Sequence, residues 1–139
     1  MALIKKNRPA WQAGKLNGIG GQIETYDENP DMAMVREFKE ETGVNQPSWY
    51  LFAEYSGYDF HDFVIHIFCQ KGDLSQLETV TDEEIKIVEV DSIRRRNEDC
   101  KVINNLYWLI PLAQARILTG NPSFSTFKYE SLIKDAEPA

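Results

Sequence analysis

The segment between Asn29 and Gly43 carries signals for a helix with a defined start and a defined end. Asn29 is a preferred N-cap residue, and Pro30 suits the first helical position. Gly43 is the residue type that most often ends a helix, because it adopts the left-handed conformation without strain. The sequence therefore predicts a helix of about three to four turns between these two signals.

Three glutamates of this predicted helix, Glu37, Glu40 and Glu41, are spaced i, i+3, i+4 and project from one face. Like charges at this spacing destabilise a helix by roughly a few tenths of a kcal/mol per pair, and anions near its C-terminus oppose the helix dipole. Clustered carboxylates suit Mg²⁺ or Mn²⁺, which retain water and bridge to phosphates. The alternative is a solvated acidic face, with Arg36 in ordinary surface ion pairs.

The composition indicates one globular domain over 1–139. The chain has 139 residues, 42% hydrophobic and 12% aromatic, which excludes a disordered chain. Its net charge of −7 disfavours binding to a polynucleotide, so a small polyphosphate ligand would need a divalent cation between the two sets of negative charges. No apolar stretch approaches the ~20 residues of a membrane span. Cys69 and Cys100 form neither a disulfide framework nor a zinc motif, and the N-terminus does not resemble a secretory signal. We expect a cytoplasmic protein with no membrane partner.

The remaining pattern mixes strands and helices without regular β-α-β alternation, which favours an α/β sandwich around a mixed sheet. A second helix is expected within 101–118, with Pro111 as a kink or as its true start. Strands are predicted at 2–6, 19–24, 49–55, 62–70 and 85–90, with a turn at Ser56-Gly57 between the third and fourth.

The glycine-rich approach and the acidic helix together resemble the Nudix hydrolase signature, G-x5-E-x7-R-E-U-x-E-E-x-G-U, where U is aliphatic. The part from Arg36 onward is Arg36-Glu37-Phe38-Lys39-Glu40-Glu41-Thr42-Gly43-Val44, with Phe38 at an aliphatic position. Seven residues separate Glu28 from Arg36, as in the signature, but six residues rather than five separate Glu28 from Gly21. Loops accept insertions, so we assign the extra residue to 25–27. The resemblance implies an α/β/α Nudix sandwich around a mixed β-sheet.

The resemblance also implies roles for individual residues. Arg36 would orient a neighbouring glutamate, and Mg²⁺ would be the cofactor, with Mn²⁺ as a possible substitute. A further glutamate before a late strand would join the site, and we favour Glu83 over Glu84. The alternative is that both residues simply cap a turn. The general base stays open among Glu37, Glu41 and Glu83. The implied metal ligands are the carboxylates of Glu37, Glu40, Glu41 and Glu83 and the backbone carbonyl of Gly20.

Within the family, the likeness is greatest to MutT-type nucleoside triphosphate pyrophosphohydrolases. The stretch Gly14–Gly21 is similar to their approach to the metal site and places Asn17 in a base pocket, although Asn before Gly is also a common turn former. The stretch from Asn104 to Leu112 resembles the helix that closes that pocket. The family has two aspartates where this chain has asparagines, so the base preference stays open. The candidate substrate-binding residues are Asn17, Trp11, Lys6, Asn104 and Asn105, with a core or rim position as the alternative for Trp11 and a plain surface lysine for Lys6.

The expected function is Mg²⁺-dependent cleavage of a purine (d)NTP to the monophosphate and pyrophosphate. An alternative is hydrolysis of ADP-ribose, a dinucleoside polyphosphate or another conjugate, with a second nucleoside stacked on the aromatic group Trp49, Tyr50, Tyr55 and Tyr58. A non-catalytic binding module would be expected to lose the metal carboxylates, which remain here. Nudix domains usually have a strand ahead of the position of Leu3, which leaves open whether an edge strand is missing or the start site is wrong. A missing strand would expose a sheet edge, so both a monomer and a homodimer are compatible with the sequence.

Overall fold

The computed structural model describes residues 1–59 and 61–129. Within these residues the strands and α-helices alternate irregularly along the chain, and two single-turn 3₁₀ helices lie in the connections. The elements are β1 (Ala2–Lys5), β2 (Leu16–Asn17), α1 (Pro30–Thr42), β3 (Tyr50–Asp59), β4 (His61–Cys69), β5 (Glu84–Ile87), α2 (Val90–Arg94), α3 (Leu106–Thr119) and β6 (Ser125–Tyr129), with the 3₁₀ turns at Leu74–Gln76 and Glu98–Cys100.

The strands form two three-stranded sheets. The first has the order β2-β1-β5 and is antiparallel, with Ile4 paired to both Asn17 and Ile85. The second has the order β4-β3-β6, in which Tyr55 faces Ile65 across an antiparallel pair and Phe127 across a parallel pair. Parallel and antiparallel pairing combined with helices confirms the predicted mixed α/β sandwich class.

A shared hydrophobic core connects the two sheets to α2 and α3. Side chains from both sheets meet the apolar face of α3 in this core. The segment between the second 3₁₀ turn and α3 adds two further buried side chains. The buried residues of this core are Leu3, Leu16, Phe52, Ala53, Cys69, Ile93, Val102, Ile103, Leu106, Leu109 and Ile110. Cys69 is thus a buried residue of β4, and burial raises the pKa of its thiol.

The predicted helix over 30–42 is confirmed, together with both of its end signals. Asn29 Oδ1 accepts a hydrogen bond from the Met32 N–H at 2.9 Å. Gly43 has φ 78° and donates its N–H to the Lys39 carbonyl at 2.8 Å. On the buried side of the helix, Phe38 packs edge-on against Trp49, with ring centroids 4.9 Å apart. This contact holds α1 beside the start of β3 and leaves the acidic residues on the open side.

Three of the other predicted boundaries were wrong. Residues 19–24 form a loop, because β2 ends at Asn17 and no other described strand lies beside them to complete a ladder. Ser56 and Gly57 lie inside β3, where they pair with Val64 and Phe63, so they do not form the predicted turn. The strand expected at 85–90 ends at Ile87. The second helix expected within 101–118 is α3, and Pro111 lies inside it rather than at its start. No helix in the described residues has the length and apolar character needed to cross a membrane.

Candidate active site

One guanidinium, that of Arg36, connects the loop before α1 to the acidic face of the helix. Its Nε and Nη2 donate to Asp27 Oδ1 at 3.0 Å and Oδ2 at 2.8 Å, and Nη2 also donates to the Gln22 carbonyl at 3.0 Å. Nη1 donates to Glu37 Oε1 at 2.9 Å and to Glu40 Oε2 at 3.2 Å. Arg36 therefore contacts two of the predicted metal ligands, while its orienting role stays a prediction.

The acidic partner of Arg36 in the loop is Asp27, which the sequence analysis missed. Hydrogen bonds from Arg36 lower the pKa of Asp27, and the same bonds raise the pKa of Arg36. Glu28, assigned to the signature from its spacing to Arg36, is exposed. Five intervening residues separate Gly21 from Asp27, as in the signature, so the extra residue lies between Asp27 and Arg36. The sequence did contain a signal for Asp27, because Asp27 is an acidic residue at the five-residue spacing from Gly21 that the signature specifies.

Gly21 lies against the carboxylate of Glu37. A Cβ built on Gly21 would come within 2.5 Å of the Glu37 carboxylate atoms, whereas one on Gly20 would meet nothing within 4 Å. Only a residue without a side chain fits at position 21 while Glu37 keeps this position. Burial raises the pKa of Glu37 and outweighs the opposing effect of Arg36. The glycine-rich loop, including the predicted ligand Gly20, thus runs directly beside the helix carboxylates.

Residues 81–83 bring a second acidic residue toward α1. Thr81 Oγ1 donates to Glu41 Oε2 at 2.9 Å and accepts from the Glu83 N–H at 3.3 Å. Glu83 is only 6% exposed; its carboxylate accepts from Lys6 Nζ at 2.8 Å and from the Asn7 N–H at 2.6 Å. Burial by itself would raise the pKa of Glu83, but these hydrogen bonds and the nearby positive charges hold it below its usual value.

The contrast between Glu83 and its neighbour favours Glu83 as the residue that joins the site. Glu84 is exposed and pairs with Lys86 at 2.9 Å, whereas Glu83 is buried and its N–H bonds Thr81. Lys6, predicted to reach a phosphate or the base, is paired with Glu83 in this structure. Thr81 was missed by the sequence analysis, because nothing in the local sequence shows which helix its hydroxyl faces.

The donor set matches a hard divalent cation in its chemistry, although the carboxylates do not converge in this conformation. Across residues 1–59 and 61–129, no three His, Cys, Asp or Glu side chains are grouped closely enough to hold a metal ion. The carboxylates of Glu37 and Glu40 contact Arg36 instead, and that of Glu41 contacts Thr81. No hydrogen bond from a described residue reaches Glu41 Oε1, which leaves a carboxylate oxygen for a cation.

Asn17 lies beside the segment that carries Asn104 and Asn105. Leu16 forms a parallel bridge with Val102, and the Ile103 N–H donates to the Leu16 carbonyl at 3.0 Å. Asn17 Nδ2 donates to Gln12 Oε1 at 3.0 Å, and its Oδ1 accepts from the Gly18 N–H at 2.7 Å. Asn17 therefore ends β2 with its side chain bonded to Gln12 and Gly18, beside the segment that leads to Asn104 and Asn105, and its role in a base pocket stays a prediction.

The other candidates for this pocket differ in exposure. Asn104 is exposed, whereas Asn105 Oδ1 is buried and has no hydrogen-bond partner in the described part of the chain. An unpaired buried oxygen of this kind is a suitable acceptor for a ligand donor. Trp11 is 64% exposed, which rules out the core position and leaves its ring available at the rim.

Comparison with known protein families supports the resemblance seen in the sequence. The model of the NUDIX domain matches residues 2–106, more than half of the 139-residue chain. A search of curated proteins finds no significant match. The matched region includes the glycine-rich loop, α1 and residues 81–83. The chain belongs to the Nudix family, whose domain is generally that of a pyrophosphohydrolase acting on a nucleoside diphosphate linked to another moiety.

Proposed function

We propose that this protein is a Mg²⁺-dependent hydrolase that cleaves a purine nucleoside or deoxynucleoside triphosphate to the monophosphate and pyrophosphate. The observation that carries this proposal is the path of residues 17–21. At one end, Asn17 lies beside the segment containing Asn105. At the other end, Gly21 lies against the carboxylate of Glu37. A short stretch of chain thus joins candidate base-reading groups to candidate metal-binding groups.

The chemistry of the reaction divides among the residues of the acidic cluster. A divalent cation bound there would neutralise phosphate oxygens and acidify a water molecule for attack on phosphorus. Glu37, Glu40 and Glu41 would hold it, with the Gly20 carbonyl and Glu83 completing the set. Arg36 would keep Glu37 and Glu40 oriented through its hydrogen bonds. The proton from water would pass to a carboxylate, with Glu37, Glu41 and Glu83 as the candidates.

Base recognition would depend on amide groups and one aromatic ring. The amides of Asn17, Asn104 and Asn105 offer both donors and acceptors to a base edge, and need no change of protonation to do so. Trp11 directly precedes Gln12, whose Oε1 accepts a hydrogen bond from Asn17, and the exposed ring of Trp11 would stack on the base. Lys6 would contact a phosphate only by sharing or leaving its ion pair with Glu83.

Hydrolysis of ADP-ribose or a dinucleoside polyphosphate is the alternative, and the aromatic contacts support it less well. Trp49 packs on Phe38, and Tyr50 lies under the guanidinium of Arg116, which is 4.5 Å from the ring centroid. Tyr55 belongs to a cluster with Trp108, with ring centroids 6.1 Å apart. These rings make separate contacts and do not form one platform for a second nucleoside.

The test is a panel assay with Mg²⁺ and with Mn²⁺, in which the products are separated by chromatography. The panel contains canonical and oxidised (d)NTPs, ADP-ribose, NADH and diadenosine polyphosphates, and Glu41→Gln protein serves as the control for contaminating phosphatases. We expect a monophosphate and pyrophosphate from a purine triphosphate. Cleavage restricted to ADP-ribose or a dinucleotide would support the alternative. No turnover by folded, metal-loaded protein would favour a non-catalytic binding module.

A further inference from the structure

The hydroxyl of Thr81 makes a directed contact with a helix carboxylate. Its Oγ1 is 2.9 Å from Glu41 Oε2 and 3.5 Å from the Glu83 carbonyl oxygen. A hydroxyl has a single proton to donate, and the nearer, charged acceptor is the stronger one. Oγ1 also accepts from the Glu83 N–H at 3.3 Å, which occupies a lone pair and limits rotation of the hydroxyl. The proton of Thr81 is therefore directed at Glu41.

We propose that Thr81 is a positioning residue for Glu41, holding its carboxylate by Oε2 so that Oε1 is presented to the divalent cation. This inference rests on the proposed role of Glu41 as a metal ligand. A free glutamate side chain on a helix surface samples several rotamers, and fixing it costs conformational entropy when a ligand binds. A hydrogen bond already present before binding reduces that cost.

Thr81 is suited to this role because hydrogen bonds from Asn7 and Arg8, which follow β1, hold its segment in place. Asn7 Nδ2 donates to the Asp82 carbonyl at 2.7 Å, and its N–H donates to Glu83. Arg8 binds both carboxylate oxygens of Asp82, at 2.9 and 3.1 Å. The segment that carries the hydroxyl is thus held on the side of Asn7 and Arg8, and the Glu78 N–H also joins it to the C-terminal end of α1 by donating to the Thr42 carbonyl at 3.1 Å.

The three helix glutamates are consequently oriented by two different groups. Arg36 contacts Glu37 and Glu40, whereas Thr81 is the described residue that hydrogen-bonds Glu41. Glu41 stands one residue beyond Glu40 and receives no hydrogen bond from Arg36 in this part of the structure. A separate donor is therefore needed if all three carboxylates are to be held before a cation arrives.

The experiment measures Mn²⁺ binding to metal-free protein in the absence of nucleotide, by the electron paramagnetic resonance signal of free Mn²⁺. Thr81→Val keeps the shape of the side chain but removes the donor. We expect its Kd for Mn²⁺ to rise by about 10-fold, the scale of losing a group that orients a metal ligand. Thr81→Ser keeps the hydroxyl and should bind Mn²⁺ nearly as well as the wild type.

Thr79→Val is the matched control. Thr79 Oγ1 accepts a hydrogen bond from the Ile85 N–H at 2.9 Å, so this variant removes a threonine hydroxyl from the same loop without touching Glu41. Its Mn²⁺ affinity should equal that of the wild type. Thr81 is exposed, so its variants should fold, and Thr81→Ala provides a second donor-free variant if Val perturbs the loop.

Glu41→Gln and the double variant Thr81→Val/Glu41→Gln separate the two hypotheses. We expect Glu41→Gln to weaken binding and Thr81→Val to add nothing further in that background. Unchanged affinity in Thr81→Val alongside weakened binding in Glu41→Gln would overturn the role of Thr81 alone. Unchanged affinity in Glu41→Gln would overturn Glu41 as a ligand, and with it this proposal. An equal loss in Thr79→Val would reveal a general loop effect and also overturn it.

Discussion

Arg36 binds both carboxylate oxygens of Asp27, with Nε 3.0 Å from Oδ1 and Nη2 2.8 Å from Oδ2. A bidentate pair of this kind fixes the plane of the guanidinium as well as its position. The remaining nitrogen, Nη1, is thereby aimed at Glu37 and Glu40. The orientation of two helix carboxylates thus depends on an aspartate in the preceding loop.

Asp27→Asn should impair catalysis more than Glu28→Gln, although the two residues are adjacent. The pKa of Asp27 lies below its usual value because Arg36 stabilises the charged form, so the pair is ionised throughout the neutral range. Loss of that charge should lower kcat by about 10-fold, as expected for a group that orients a ligand-holding residue. Steady-state kinetics on the best substrate measures this. If Glu28→Gln is the impaired variant, the assignment of Asp27 is incorrect.

Gly21→Ala should displace the Glu37 carboxylate, and Gly20→Ala should not. The added methyl group would lie 2.5 Å from the carboxylate at position 21 but would meet nothing within 4 Å at position 20. A displaced catalytic group should reduce kcat by roughly 100-fold. Both variants retain every backbone carbonyl, so a metal-ligand role for Gly20 is preserved. Equal kinetics of the two variants would contradict the close contact between Gly21 and Glu37.

Glu83→Gln should reduce stability at neutral pH and lessen the sensitivity of the protein to acid. The folded-state pKa of Glu83 is lowered, so its carboxylate stabilises the fold above the usual value of 4.5, and that contribution is lost as the pH falls through the folded-state pKa. Chemical denaturation with EDTA present should therefore show the largest difference from wild type near pH 7, with convergence in acid. Glu84→Gln, at an exposed position, should follow the wild-type curve. A pH-independent difference would mean that Glu83 does not titrate as inferred.

Asn105→Ala should change the ranking of bases more than the rate on the best substrate. The buried, unpaired Oδ1 of Asn105 is available to a donor on the base, and losing one such hydrogen bond changes discrimination by about 10-fold. Ratios of kcat/KM across the purine and pyrimidine triphosphates measure the effect. Asn104→Ala should have a smaller effect, because its side chain is exposed. Parental preference in both variants would place the base pocket elsewhere.

The parts of the fold that could be predicted from sequence are those decided by neighbouring residues. The ends of α1 depend on Asn29, Pro30 and Gly43, all within one turn of the positions they define. The local sequence could not distinguish the loop at 19–24 from a strand, because a segment forms a strand only where a neighbouring strand hydrogen-bonds to it. The seven-residue spacing to Arg36 favoured Glu28. A spacing in sequence does not show that the Arg36 guanidinium hydrogen-bonds Asp27 instead.

The same distinction applies to the candidate site. The glutamates of α1 were found because helical spacing places them on one face, whereas Thr81 approaches Glu41 from 40 residues away in sequence. The contact between Thr81 and Glu41 depends on the position of residues 81–83. Hydrogen bonds from Lys6 and Asn7, which follow β1, to Glu83 hold these residues in place. Long-range pairing of this kind leaves no periodic pattern in the sequence, so it becomes visible only in three dimensions.

The attachment of the loop to Arg36 by a side chain also has a consequence for protein engineering. Because the Asp27 carboxylate and the Gln22 carbonyl make this connection and no strand pairing does, the number of residues between Gly21 and Pro30 is not dictated by a ladder. One residue added to or removed from this loop would be tolerated, provided that one acidic side chain still reached the guanidinium. Length variants and grafted loops can therefore be designed here without rebuilding the helix that follows.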